Sequence, residues 1–166
     1  MPLVLTGAGA ITGLTSVPSS GLQLADANMP TGSVLQVASA TDSTSLVISS
    51  TSLVAVSGLS LSITPTSSSN KILLLLSGGD IITNDPGRYL YTTFYRDSTN
   101  LATGVDFLSR YGGVSSEIVL PHSMMIYDSP ATTSAITYSV YAKISGNSVY
   151  FSSQTAVTMI AMEISA

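Results

Sequence analysis

The sequence predicts an all-β fold, an antiparallel β-sandwich with jelly-roll topology and an extended N-terminal arm. Three observations support this prediction. Short runs rich in β-branched residues alternate apolar and polar side chains with the period of two that a strand requires. Clusters of turn residues separate these runs at spacings of about 8 to 12 residues, as in sandwiches and barrels. No window of the chain carries a helical apolar stripe.

Residues 1–29 differ in composition from the remainder and predict a separate arm ahead of a β-sandwich domain at 30–166. The segment is rich in Gly, Ala and Thr, and glycine at short intervals weakens regular structure. Interspersed apolar residues favour an arm that becomes ordered against a partner, whereas a flexible tail is the alternative. The candidate anchoring residues of this arm are Leu3, Leu5, Ile11 and Leu14.

The first half of the domain predicts a series of short strands. Ser33–Ser39, Ser45–Ser49 and Leu53–Val56 are the first, and Leu59–Ile63 alternates Leu, Leu and Ile with two serines. Ile72–Leu76 is apolar at five successive positions, which predicts that the strand Lys71–Leu76 is buried on both faces.

The second half continues in the same way after the turn signal Asn84–Gly87. Gly146–Asn147 predicts a hairpin turn into the strand that begins at Val149. Because the chain ends inside a strand, we expect that strand to lie in the middle of a sheet. The predicted strands are Arg88–Arg96, Val105–Ser109, Glu117–Tyr127 with a bend at Pro121, Ala135–Ile144, Val149–Phe151 and Ala156–Ile164.

Charge is scarce in this chain. Asp, Glu, Lys and Arg make up 8% of the residues, against about 25% in an average protein, whereas Ser and Thr together account for 49 of 166. The surface is therefore covered by hydroxyl groups, buried against other chains, or both; a hydroxyl-rich monomer is the alternative. The net charge of −4, without any run of Lys or Arg, argues against nucleic acid.

The apolar content does not predict insertion into a membrane. The longest apolar run, Ile72–Leu76, is far shorter than the roughly 20 residues of a spanning helix. The first residues have neither a basic region nor a long apolar region, so we expect no signal peptide.

Candidate catalytic groups are few, and we expect no enzyme, no cofactor and no metal. His122 is the single histidine, and no nucleophile-elbow motif accompanies it. Glu117 and Glu163 are the only glutamates, and a carbohydrate-active enzyme with paired carboxylates is a distant alternative. Most aspartates sit in or beside turns. Asp80, Asp85 and Asp97 are a weak candidate for a hard-cation site.

Three tyrosines of one predicted strand are the candidate contact residues. Tyr89, Tyr91 and Tyr95 share one face of the strand, either in the core, at a trimer axis, or on a surface that stacks against glycans. In the last case arginines would act as polar partners. The candidate partners are Arg88, Arg96 and Arg110.

Four segments resemble small Ser/Thr-rich tail-fibre and virion structural proteins of marine and freshwater phages, including cyanophages. The segments are Met29–Val37, Gly58–Leu73, Tyr127–Tyr138 and Met162–Ile164, and the likeness extends over most of residues 29–166. Asp80–Val114 departs most from the pattern.

The resemblance implies a homotrimer on a phage particle that is assembled in the host cytoplasm, with other virion proteins as partners. We expect a tail-fibre or tail-tip protein with recognition loops at residues 80–87 and 106–113, or alternatively a capsid decoration (cement) protein.

Overall fold

The protein is described by a computed structural model that covers residues 29–83, 88–112, 118–151 and 155–166. Within them lies no helix with the length and apolarity to cross a bilayer. The strands are β1 (Val34–Asp42), β2 (Leu46–Ile48), β3 (Val54–Ile63), β4 (Lys71–Thr83), β5 (Tyr89–Arg96), β6 (Thr99–Asn100), β7 (Ser109–Gly112), β8 (Ile118–Asp128), β9 (Ile136–Ile144), β10 (Val149–Phe151) and β11 (Val157–Ile164).

The strands form two antiparallel sheets with jelly-roll connections. The first sheet has the order β1-β11-β4-β8, with β10 and β2 continuing beside one end of β4. The second has the order β3-β9-β5-β7, with β6 also paired to β5. Successive long strands alternate between the sheets at β1-β3-β4-β5 and β7-β8-β9-β11, which is the jelly-roll pattern. The predicted fold is confirmed, and the last strand lies between β1 and β4.

The core fills the space between the sheets. Every second residue of β9, from Ile136 to Ile144, is buried, as the sequence alternation predicts. The inward side chains of β4 and β11 meet them from the first sheet, with Ile72, Leu74 and Met159 at most 1% exposed. This packing fixes which face of each strand points outward.

Several strand boundaries differ from the prediction. Val54–Val56 and Leu59–Ile63 belong to the single strand β3, whose register shifts between Ala55 and Ser60, and Leu53 precedes this strand. Residues 103–106 form turns, and the strand predicted at Val105–Ser109 begins only at Ser109. Strand β4 continues to Thr83, so the predicted recognition loop at 80–87 is partly strand.

The predicted hairpin at Gly146–Asn147 is wrong. Strand β9 belongs to the second sheet, whereas β10 pairs with β2 and β4 in the first. The turn residues therefore carry the chain from one sheet to the other. Pro121 lies opposite a register shift in β4, between Gly78 and Asp80, on the edge strand β8, where its missing N–H is tolerated.

Candidate interaction surfaces

The candidate tyrosines lie on the outer face of the second sheet. Tyr89, Tyr91 and Tyr95 are each half-buried, whereas Leu90 and Phe94 between them point into the core. The three tyrosines thus share one face of β5, as the period of two predicts. This face points outward, so the tyrosines do not lie in the core of the sandwich.

Two cations rest on the rings of this face. The Arg110 guanidinium lies 4.8 Å from the Tyr89 ring centroid, and the Lys143 ammonium lies 5.6 Å from that of Tyr91. Phe107 packs against Tyr91 at a centroid distance of 4.6 Å. We call Tyr89, Tyr91, Phe107, Arg110 and Lys143 the aromatic–cation surface.

An open depression of about 490 Å³ lies at this surface. Tyr91, Phe107, Arg110 and Lys143 line it, together with Thr51, Ile144 and Ser145. The site therefore combines aromatic rings, two cations and hydroxyl groups within a single concavity.

Tyr95 and Arg96 do not belong to this surface. The Tyr95 ring stacks on Tyr141, with centroids 3.8 Å apart. Arg96 has the parity of Leu90 and Phe94 and points inward, where its Nη1 donates to both carboxylate oxygens of Asp128 at 2.9 Å. Asp128 also accepts a hydrogen bond of 2.6 Å from Tyr138, so these groups connect the two sheets. The prediction that Arg96 is a polar partner of the tyrosines needs correction, because its partner is Asp128. Asp128, which the sequence places beside a turn, also joins the two sheets.

Arg88 lies at the margin of the depression. A Cβ atom added at Gly146 would lie 2.7 Å from its Nη1 atom, and the adjacent Ser145 lines the depression. The role of Arg88 and Arg110 as polar partners of the tyrosines stays a prediction.

The outer face of the first sheet carries two apolar rows across four strands. In one row, paired residues of β1, β11, β4 and β8 bring four apolar side chains side by side. The adjacent row contains one serine and three apolar residues in the same strand order. The rows are Val37, Met162, Leu73 and Tyr127, and Ser39, Ile160, Leu75 and Met125.

We call these two rows the apolar face. Its most exposed members lie on the two edge strands, with exposures of 59% for Val37, 64% for Met125 and 55% for Tyr127. Adjacent strands are about 4.8 Å apart, so four strands span about 14 Å. Neither row contains a charged residue, and Lys71 lies beyond them on β4.

Glu163 is buried at the end of β11 and accepts hydrogen bonds from three residues. Its oxygens lie 2.7 Å from Asn70 Nδ2, 2.6 Å from Gln36 Nε2, 2.7 Å from the Thr66 amide nitrogen and 2.9 Å from Thr66 Oγ1. Burial alone would raise the pKa of this carboxyl, but the donated hydrogen bonds outweigh burial and lower the pKa. The carboxylate anchors the loop between β3 and β4.

His122 is buried between the sheets. Its Nε2 shares a hydrogen bond of 3.1 Å with Thr92 Oγ1, and its Nδ1 shares one of 2.7 Å with the Tyr111 hydroxyl. Burial lowers the pKa of the imidazole to about 4. The position agrees with the structural role that the sequence favours.

The remaining candidate groups are dispersed. Asp80 accepts hydrogen bonds from Thr155, Asp97 accepts one from the Thr137 amide, and Asp85 lies outside the described residues. In the described part of the chain, no three His, Cys, Asp or Glu residues gather where they could hold a metal ion. The predicted anchoring residues Leu3, Leu5, Ile11 and Leu14, and also Glu117, lie outside the described ranges.

Comparisons with known proteins give likenesses among solved structures alone. No protein-family model and no curated protein matches the chain. T=1 particles derived from infectious bursal disease virus match with 15% identity and a TM-score of 0.44, over 99% of this chain and 41% of theirs. The VP2 subviral particle of that virus matches with 15% identity and a TM-score of 0.40, over 81% of this chain and 39% of its own. The T13 viral particle matches with 11% identity and a TM-score of 0.39, over 99% of this chain and 41% of its own.

This chain thus spans about two fifths of the chains it matches. Because the likeness is this low, we base the functional proposal on this chain's own residues and surfaces.

Sequence reasoning missed Phe107, Lys143 and the apolar face. Lys143 precedes Ile144 in a strand whose alternation is clear, so its outward position was available from the pattern. The apolar face had a signal in Lys71–Leu76, since a strand that is apolar on both faces needs a partner on each.

Proposed function

We propose that this chain is a structural protein of a virus particle, most simply a phage tail-fibre or tail-tip protein, and that it assembles as a homotrimer through the apolar face. The apolar face is the observation that carries the proposal. In an isolated subunit it leaves Val37, Met125 and Tyr127 more than half exposed, and exposed contiguous apolar patches mark interaction sites.

The chemistry of the face favours copies of this chain as its partners. The face has no charge, so another copy of it brings neither like-charge repulsion nor the cost of desolvating an ion. Burying such surface stabilises an assembly by about 25 cal/mol per Å² of apolar area.

A threefold arrangement fits the distribution of exposure. In a cyclic trimer, one part of a subunit's surface meets a different part of the next. The apolar face offers two such parts, Val37 on β1 at one side and Met125 with Tyr127 on β8 at the other. We therefore propose that the β1 side of each copy packs against the β8 side of its neighbour.

The opposite face supports a role in recognition. The aromatic–cation surface lies on the outer face of the second sheet, which assembly through the first sheet leaves accessible. Assembly on one face and recognition on the other suit a tail protein that contacts the host surface. Catalysis is not proposed, because His122, Asp128 and Glu163 are all held in buried contacts that stabilise the fold.

The test is the copy number of this chain relative to the major capsid protein in purified particles, measured by quantitative mass spectrometry. A ratio of a few per cent supports the tail-fibre proposal. A ratio of about one half or higher instead supports a capsid decoration protein. Absence of the chain from purified particles contradicts the proposal as a whole.

A further inference from the structure

We propose that the aromatic–cation surface binds a carboxylated saccharide, such as a uronate or sialate unit of a surface polysaccharide. The inference rests on the recognition role in the proposed function and names the class of ligand, and it can be measured on the purified protein.

The distribution of cations is the first observation. The whole chain has five Lys and Arg residues and a net charge of −4. Arg96 is committed to Asp128, and Lys71 donates to Ser129 near the first sheet. Arg110 and Lys143 both line one depression. Two of the five cations of a protein with net negative charge thus line a single concave site.

The cations are held in place by the rings beneath them. Arg110 lies over Tyr89 and Lys143 over Tyr91, and the two ring centroids are 6.1 Å apart. A guanidinium so positioned presents a planar fork that matches a carboxylate. Within the described residues, no carboxylate lies at ion-pair distance from Arg110.

Lys143 has a partner that a ligand can replace. Its Nζ lies 3.6 Å from Asp106, whose side chain is 78% exposed. Such a solvent-exposed pair contributes little free energy, so a ligand carboxylate competes with it at small cost.

The remaining lining suits a sugar ring. Tyr91 and Phe107 offer aromatic carbon for the apolar face of a pyranose, and Ser145 and Thr51 bring hydroxyl groups for its own hydroxyls. A nucleic acid is disfavoured, since two cations in a chain of net negative charge do not make the extended basic surface that a phosphate backbone requires.

Isothermal titration calorimetry with matched probes tests the inference. Tetragalacturonate is compared with neutral cellotetraose, and sialyllactose with lactose. We expect at least one acidic probe to bind at least about tenfold more tightly than its neutral counterpart, and to bind more weakly as salt is raised. Equal binding within both pairs, or no binding of either acidic probe, would overturn the inference.

Variants locate the site. Arg110→Gln should weaken binding of the acidic probe by about tenfold to a hundredfold, as expected for the loss of a charge-assisted hydrogen bond. Lys71→Gln, on the other sheet, removes the same charge from the chain and should leave binding unchanged. An equal loss in both variants would overturn the assignment to this surface, and thermal unfolding confirms that each variant is folded. Because purified chains are used, a negative result here leaves the particle measurement unaffected.

Discussion

The buried carboxylate of Glu163 shows how one residue closes an end of the sandwich. It accepts hydrogen bonds from Gln36, Thr66 and Asn70, which belong to β1 and to the loop between the two sheets. A buried donor that loses its acceptor costs about 1–3 kcal/mol. Glu163 thus stabilises the loop that connects β3 in the second sheet to β4 in the first.

Glu163→Gln should lower the free energy of unfolding by about 1–3 kcal/mol near neutral pH, because its amide group would face the Gln36 amide. The folded pKa of Glu163 is lowered, so its stabilisation is present above the unfolded pKa and is lost as pH falls through the folded pKa. The difference between wild type and variant should therefore shrink in acid. Urea unfolding measures it, with the exposed Asp106→Asn as control; a difference that grows in acid would contradict the assignment.

His122 should make the stability of the fold depend on pH in a range above that of Glu163. Its pKa falls from 6.5 unfolded to about 4 folded, so protonation favours the unfolded chain. Stability should fall as pH drops from about 6.5 towards 4, by up to about 1.4 kcal/mol per pH unit. His122→Gln should flatten this slope. Because His122 is the chain's only histidine, NMR can follow its titration directly, and a folded-state midpoint near 6.5 would refute the prediction.

Among the elements, β4 is the strand on which the first sheet depends. It pairs with β11 on one side and β8 on the other. Its register shifts at Gly78, which has a φ of +91°, and a Cβ there would lie 2.5 Å from the Ala156 carbonyl oxygen. That oxygen also accepts a hydrogen bond from the Gly79 amide, so the neighbouring backbone has little freedom to move away.

Gly78→Ala should therefore destabilise the protein more than Gly104→Ala. Gly104 has a similar φ of +76° but nothing within 4 Å of an added Cβ, so the control isolates the conformational cost, about 1–2 kcal/mol. Overpacking should add about 1–3 kcal/mol at Gly78. Equal losses in chemical denaturation would show that the strands accommodate the methyl group.

The elements also show what sequence patterns can predict. The alternation in β9 predicts its inward face residue by residue. The turn at Gly146–Asn147 was misassigned, because turn residues indicate a change of direction and not which sheet the next strand joins. Val105–Ser109 was misassigned because a short apolar run fits a turn that packs on a sheet as well as a strand.

The candidate surfaces were predictable to different extents. Strand periodicity predicts the shared outer face of Tyr89 and Tyr91. The same periodicity also predicts that Arg96, one residue after Tyr95, points inward. Contacts between strands distant in the chain, such as Lys143 with Tyr91, depend on register, and the local sequence does not determine register. The apolar face is distributed over four strands and emerges only when they are paired.

At the scale of the whole molecule, the two outer faces of the sandwich have different chemistry. One carries two rows without a charged residue across four strands, and the other carries aromatic rings with Arg110 and Lys143. This division agrees with our proposal that the subunit assembles through one face while the other stays accessible. We therefore expect the apolar face to be buried between copies of this chain.

Native mass measurement of the purified chain at micromolar concentration tests that claim most directly. We compare wild type with Val37→Glu on the apolar face and with Val105→Glu, whose side chain is equally exposed, at 58%, but lies in a turn of the second sheet. We predict a trimer for wild type and for Val105→Glu, and a monomer for Val37→Glu, because the new carboxylate would be desolvated at the contact. A wild-type monomer, or a Val37→Glu trimer as stable as wild type, would contradict the account.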